Sequence, residues 1–376
     1  MTHKKIVIVG GGPVGLSMAI KLAKQGKAVS LIDQGLTKAN DARVLALSHA
    51  SYEVLSELQA WPDKDCTTAI NCVQISHRGL GITQITAPEL KLNQLGFTVK
   101  YASVCAKLEA IANAEPLIQL ILGNVITVHD GAEFATICYS DANNAEQILS
   151  TELLIMAEGG KLLADQPKKF KHDYQQQALI FHIKTTQKPA NLAHERFGGI
   201  GPLVLLPFED HYVVVWSLAS DLAEQLKANH PQLISALDDE FTQRLGGAKL
   251  LSAPVSFPLH LIQIPQRVLK RIILIGNSAQ IVHPVSAQGL NLGLRDVVQL
   301  SDLIAEDEQI NLVKLQQYDK LRNKDANAVI GFTHLLATKL DTKNNLFSHL
   351  RGAGIIALSN LPLVKNFVAR SLIFGL

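Results

Sequence analysis

The strongest constraint on this chain is the hexapeptide Gly10-Gly11-Gly12-Pro13-Val14-Gly15, which satisfies G-x-G-x-x-G. It follows the apolar run Ile6-Val7-Ile8-Val9, the pattern of a parallel strand covered on both faces. Val14, Met18, Leu22 and Ala23 then recur at helical spacing between Pro13 and Gly26, and Val29-Ser30-Leu31-Ile32 reads as a second strand ending at Asp33. Strand, glycine turn, helix and strand together predict the start of a Rossmann-like α/β unit that binds a dinucleotide. Gly10 permits the tight turn, Gly12 lets the backbone approach a pyrophosphate, and Gly15 allows close packing of helix on strand. Pro13 and Val14 open a helix whose free N–H groups and positive dipole end face the phosphates. Asp33, 18 residues after Gly15, is placed to accept hydrogen bonds from an adenosine ribose diol. Gly352-Ala353-Gly354-Ile355-Ile356-Ala357 also fits the pattern, but Ser348-His349-Leu350-Arg351 before it is no buried strand, so one dinucleotide site is expected rather than two.

At 376 residues the chain is long enough for two or three packed units. Residues 52–60 and 104–114 read as helices, and Thr151–Met156 as a buried strand ending in the turn Glu158-Gly159-Gly160. After about residue 170 the texture changes. Ala178–Ile183, Leu203–Leu206, Tyr212–Leu218 and Val255–Leu261 are strand-like and split by Gly, Pro and Asp, which predicts an antiparallel sheet. Arg271–Ile275 returns to the buried-strand texture, a helix is expected from Gln288 to Ala305, and the pattern stays helical from residue 312. The expected class is therefore α/β: a discontinuous Rossmann-like domain (1–75, 95–165 and 266–310), an inserted, mainly antiparallel β-sheet substrate domain (76–94 and 166–265), and C-terminal helices (311–376).

Composition removes other classes. Lys and Arg number 35 against 33 Asp and Glu, too balanced for a nucleic-acid partner. Cys66, Cys72, Cys105 and Cys138 form no C-x-x-C, and no His pair has zinc-ligand spacing, so free thiols in a reducing cytoplasm and no metal are expected. No apolar run is long enough to span a membrane. Nucleophile-elbow, phosphate-binding GK[ST] and H-E-x-x-H motifs are absent from the sequence.

A second, more specific stretch is Ile275-Gly276-Asn277-Ser278-Ala279-Gln280, followed by His283-Pro284 and then Gln288-Gly289-Leu290-Asn291-Leu292-Gly293-Leu294-Arg295-Asp296. Here the chain resembles the FAD-dependent aromatic hydroxylases, whose second fingerprint reads G-D-A-A-H-x-x-x-P and then G-Q-G-x-N-x-G-x-x-D. Asp41-Ala42-Arg43, Tyr174-Gln175-Gln176-Gln177-Ala178 and His194-Glu195-Arg196-Phe197 are similar to the ubiquinone-biosynthesis branch, and the likeness covers nearly the whole chain. Gly-Asn-x-Ala-Gln resembles the 2-polyprenyl-6-methoxyphenol hydroxylases, where Asn replaces the usual Asp.

The resemblance implies FAD as cofactor, NADPH or NADH as co-substrate, and O2 as the oxygen source for hydroxylating a polyprenyl phenol, 2-polyprenyl-6-methoxyphenol. The alternatives are a ring hydroxylase acting at another carbon of the same pathway and a non-catalytic flavin scaffold of the biosynthetic complex. The resemblance also implies that Asn277 lies beside the ribityl chain, and that Gly289, Leu290 and Asn291 offer N–H groups to the flavin pyrimidine edge. Arg43 is implied near flavin and phosphates, and Pro284 over the isoalloxazine at the reacting face. His283 is the one histidine inside a functional-looking loop, read as a structural loop residue and, alternatively, as an acid/base. Asp296 is expected to orient the loop, Arg295 to face an ion pair, and Trp216 to sit in the core or wall the substrate pocket.

Two features depart from the family or extend beyond its motifs. Ala157-Glu158-Gly159-Gly160-Lys161-Leu162 stands where relatives carry Ala-Asp-Gly-x-x-Ser, and Glu158 is not read as catalytic. The tail from Leu346 to Phe374 is amphipathic, with Pro362 dividing it into two helices. It is expected to pack on its own domain or to rest peripherally on the inner membrane, where the implied substrate resides.

Overall fold

A computed structural model describes residues 2–35, 41–77, 81–162, 168, 170–197, 199–241, 245–283, 287–307, 309–339 and 360–375. The chain opens with β1 (Thr2–Val9), α1 (Pro13–Lys24), β2 (Val29–Asp33), β3 (Val44–Ser48), α2 (His49–Glu57), β4 (Thr67–Ile70), β5 (Cys72–His77) and β6 (Gly81–Thr86). It continues through β7 (Gly96–Lys100), α3 (Tyr101–Ala114), β8 (Ile118–Asp130), β9 (Ala135–Asp141) and β10 (Glu146–Met156). Next come β11 (Phe170–Thr185), β12 (Leu192–Phe197), β13 (Leu203–Phe208), β14 (His211–Ala219), α4 (Ser220–Ala228) and α5 (His230–Phe241). The last stretch holds β15 (Ala248–Leu250), β16 (Val255–Gln263), β17 (Ile272–Leu274), β18 (Gln280–Ile281), α6 (Gly289–Ala305), α7 (Leu312–Lys339) and α8 (Pro362–Phe374).

In the first sheet β1 runs parallel between β2 and β10. β8 extends the sheet beyond β2, and β17 extends it beyond β10. The apolar run of β1 is continuous because both of its faces are covered. Ile6 and Ile8 pack under α1 and α6 with Leu16, Met18 and Val297, whereas Val7 and Val9 pack on the opposite side with Ile137, Leu154 and Leu274. That opposite cover is an antiparallel meander in which β9 pairs with the second half of β8 and the first half of β10. The sequence pattern does not announce it, since β8 alternates buried and exposed residues only weakly.

The second sheet runs β18-β16-β11-β14-β13-β12-β5-β6, with β15 pairing onto β11. Its contacts are antiparallel except one: β12 lies parallel to β5, so Cys72 pairs with Leu192 and Ile75 with Glu195. The hairpin β5–β6 thus carries an early segment into a sheet built mostly from residues 170–281. On the outer face α4 and α5 bury Leu179, Phe181, Leu205 and Trp216 against Leu226, Leu233 and Leu237. Trp216 is fully buried there, on the helix side of the sheet. The inner face carries Ile180, Ala193, Leu206, Val213 and Val215, which pack against Val44, Ala46 and Ile70 of the first part of the chain.

This is the α/β architecture with an interposed antiparallel sheet and C-terminal helices that the sequence predicts. A three-stranded sheet ordered β3-β7-β4 joins the two larger ones and was not foreseen. Among the described residues no helix is long and apolar enough to cross a membrane. The rejected glycine match at 352–357, and the tail before residue 360, lie outside the described residues.

Candidate active site

The turn after β1 is built by steric necessity. Gly10 has φ +109°, and a Cβ there would stand 2.6 Å from the Ala157 carbonyl oxygen, so only glycine fits between β1 and the end of β10. A Cβ on Gly15 would lie 1.9 Å from the Gly10 oxygen, which lets α1 press directly on the turn. Gly12 is different. It is the N-cap of α1, its φ and ψ (−75°, 175°) suit any residue, and a Cβ would meet no protein atom within 4 Å. No side chain caps α1 and no acid occupies its first turn, so its leading N–H groups and dipole remain available to an anion. Asp33 closes the turn from β2, its carboxylate accepting the Gly11 N–H at 2.6 Å and the Gly35 N–H at 2.9 Å.

The second glycine cluster meets the first through one side chain. Val14 of α1 lies against both Gly276 and Gly293, where an added Cβ would come within 3.3 and 2.5 Å of its methyl groups. The helix α6 also begins without a side-chain cap or an acid in its first turn, and a Cβ on Gly289 would meet open space. Two uncapped helix N-termini therefore border one cleft of about 750 Å³. Gly10, Gly12, Pro13, Val14 and Asp33 line it from the N-terminal end; Asn277, Gly289 and Leu290 line it from the other. Arg43 stands at its margin, paired with Asp41 (2.6 Å) and stacked 4.3 Å from the Tyr101 ring centroid, and the Asp41 hydrogen bond raises the pKa of its guanidinium. The far wall is apolar: Ile180, Leu206 and Val215 from the inner face of the second sheet.

Some expected residues stand elsewhere. Gly15 supports the turn from beneath and Asn291 braces the cleft from behind. The buried Asn291 amide oxygen accepts the Ser48 N–H (3.0 Å) and the Ser51 hydroxyl (2.7 Å), while its nitrogen donates to the Ala287 carbonyl (2.7 Å). It thereby ties the start of α6 to the N-cap of α2. His283 is fully buried with its ring edge-on to Tyr174 at 4.8 Å, and does not line the cleft. Burial and the neighbouring His334 push it down to about 4, so it is a neutral imidazole at physiological pH. Pro284 lies outside the described residues.

Two supporting groups go beyond what the sequence assigns. The first is Glu158 with Ser278. The Glu158 carboxylate accepts the N–H groups of Gly160 (2.9 Å), Lys161 (2.7 Å) and Leu162 (3.3 Å) and the Ser278 hydroxyl (3.1 Å). The Ser278 oxygen in turn accepts the Gly159 N–H at 3.1 Å. One carboxylate thus gathers three successive N–H groups and still reaches the loop after β17. Glu158→Ala is expected to weaken FAD binding roughly tenfold, the loss of about one charged hydrogen bond's net worth, measured by flavin fluorescence titration.

The second is a buried charge cluster. Asp296 accepts the Gly276 N–H (2.9 Å) and ion-pairs with Arg322 (2.6 Å) and Arg267 (3.3 Å), and Arg267 also donates to Gln280. Arg322 continues to Asp325 (2.6 Å), and Asp325 to Arg295, whose guanidinium donates to the Leu372 carbonyl of α8 (2.6 Å). Orientation of the loop by Asp296 and ion pairing by Arg295 were both expected. The partners on α7 were not, because charges three apart on a helix ordinarily mark a solvated face.

The donors present fit a bound dinucleotide: open backbone at Gly12 and Gly289, two free helix N-termini and a carboxylate at the end of β2. The sequence pattern of the FAD binding domain family matches residues 3–333. The chain is 28% identical over 321 residues to the 3-demethoxyubiquinol 3-hydroxylase of Escherichia coli (strain K12), covering 80% of this chain and 79% of that protein. It is 26% identical over 401 residues to the ubiquinone hydroxylase UbiM of Neisseria meningitidis, covering 98% and 84%. Among solved structures, p-nitrophenol 4-monooxygenase PnpA from Pseudomonas putida shares the fold at a TM-score of 0.78 and 14% identity, covering 98% of this chain and 97% of that one. The glycine turns that meet across Val14 are thus parts of one pattern, and the chain belongs to the FAD binding domain family.

Proposed function

We propose that this protein hydroxylates the aromatic head of a polyprenyl phenol, 2-polyprenyl-6-methoxyphenol, using FAD, O2 and NADPH or NADH. The observation that carries the reading is the two-ended cleft: anion-receptive backbone at one end and the apolar wall Ile180, Leu206 and Val215 at the other. When bound, FAD would supply the redox chemistry, taking reducing equivalents from the nicotinamide and activating oxygen. Gly12 and the first turn of α1 would hold the pyrophosphate and Asp33 the ribose. Asn277 would meet the ribityl hydroxyls, and the N–H groups from Gly289 onward would face the flavin ring. The apolar wall would exclude water from the reacting ring and accept its prenylated side.

The tail supports a peripheral contact with the inner membrane. On α8, Leu363 and Phe367 stand 87% and 65% exposed, one helical turn apart, beside the half-exposed Val364. A place in a ubiquinone-biosynthesis protein complex is compatible with the same surface.

A second reading, hydroxylation at another ring carbon, is favoured by the name of the Escherichia coli relative. The test is direct. FAD-loaded protein is given 2-polyprenyl-6-methoxyphenol or 3-demethoxyubiquinol, and both NAD(P)H oxidation and product mass are followed. Conversion of the first is expected; conversion of the second alone moves the assignment to the other carbon.

A further inference from the structure

Beside the cleft's apolar wall, on the same face of the second sheet, stands one group that an apolar surface does not explain. Along β12 the side chains of His194 and Arg196 point to the helix side of the second sheet, where they border a small cavity with Tyr212 and Phe241. Glu195, between them, therefore points to the inner face, as Ala193 does. Register fixes its neighbours: Glu195 pairs with Val204, Val204 with Val215, and Val215 with Ile180, while Ile75 lies on its other side. Val215 and Ile180, at the end of this row, line the cleft. Glu195 stands two strands from Val215, roughly 10 Å, at the margin of the same apolar face.

The Glu195 side chain has neither a hydrogen bond nor an ion pair to the described residues. Burial alone pushes its carboxyl up to about 7. Nearby charges are engaged elsewhere: Arg196 with Glu240 on the opposite face, and Lys365 of α8 with Glu89. His77 on β5, and His182 and His211 farther along β11 and β14, are further titratable side chains of this face; His77 is buried, and His182 and His211 hydrogen-bond each other at 2.9 Å. A carboxyl held for structure would have a partner, because an uncompensated one costs stability. A lone polar group on an apolar ligand wall is instead how such sites fix orientation.

We propose that Glu195 is the acceptor for the substrate's ring hydroxyl, receiving the phenol O–H and so setting which ring carbon faces the cofactor. The inference rests on the phenolic substrate class proposed above. A phenol is apolar apart from that donor, and a hydroxyl drawn toward a carboxylate enriches the ring in electrons, as attack on activated oxygen requires.

The test compares a short-chain 2-prenyl-6-methoxyphenol with its methyl ether, which lacks the donor, by titrating FAD-loaded protein and following the flavin absorbance. The parent is expected to prefer the phenol by roughly ten- to a hundredfold, the worth of a hydrogen bond to a charged group. Glu195→Leu is expected to abolish the preference and Glu195→Gln, equal in size, to cut it at least about threefold. Both variants should hold FAD as the parent does, and the Leu variant should melt higher because an unpaired, partly desolvated carboxyl is gone. A carboxyl with only a structural role would weaken both ligands alike, so an unchanged preference in either variant overturns the proposal. Equal binding of phenol and ether by the parent overturns it as well. If the parent binds neither, the substrate class itself is wrong and the inference goes with it.

Discussion

Gly12→Val is expected to yield a folded protein that has lost its flavin. The valine Cβ meets no protein atom within 4 Å, and its φ and ψ are ordinary extended values, so stability should stay within about 1 kcal/mol of the parent. The side chain would instead occupy the space through which a pyrophosphate reaches the first N–H groups of α1. Two charge-assisted hydrogen bonds lost at about 1.5–3 kcal/mol each correspond to roughly a 10²–10⁴-fold weaker affinity. The visible absorbance of purified protein with added FAD reads this directly, and yellow protein of parental affinity would refute the assignment of residues 10–15. Gly15→Ala makes the contrast. Its Cβ would lie 1.9 Å from the Gly10 oxygen, so it should damage folding and flavin binding together.

The largest stability effect is expected at Asp296. It lies fully buried among Arg267, Arg322 and the Gly276 N–H, and neutralising it leaves two guanidinium groups facing each other without water. Removing one partner of a buried ionic group costs about 3–5 kcal/mol. Asp296→Asn should therefore lower the thermal midpoint by several degrees and also weaken FAD binding, since Gly276 loses its anchor. If the loss comes from the stranded charge, Asp296→Leu combined with Arg322→Met should recover part of the stability. Denaturation that leaves Asp296→Asn equal to the parent would show that the cluster contributes nothing net.

The parts of this site legible in sequence are those fixed by backbone within one contiguous stretch. Gly10, Gly12, Gly15 and Asp33 belong to a single strand-turn-helix-strand unit, and their spacing alone dictates where each can stand. The second cluster is legible by resemblance, but the job of each residue within it is not. Asn291 sits in the motif yet spends its amide on Ala287 and on Ser48 and Ser51, the last two contacts set by the start of a helix some 240 positions earlier. Likewise Glu195 gives no signal until the register of β12 with β13 shows which face it takes. Arg322 and Asp325 look like a solvated helical pair, and only the packing of α7 on α6 puts them beside Asp296. What escapes the sequence is therefore long-range register and the burial of charge.

The parallel union of β12 with β5 has a consequence for synthesis. Cys72 finds its partner only when Leu192 has been made, 120 positions later. At about 5–20 residues per second, the early hairpin waits roughly 6–24 s on the growing polypeptide with one edge unsatisfied. An open edge carrying Val73 and Ile75 is a template for pairing with a neighbouring nascent chain. The hazard belongs to translation and disappears once the seam closes, so slowing elongation after residue 86, or depleting holdase chaperones, should lower soluble yield without altering the melting of the finished protein.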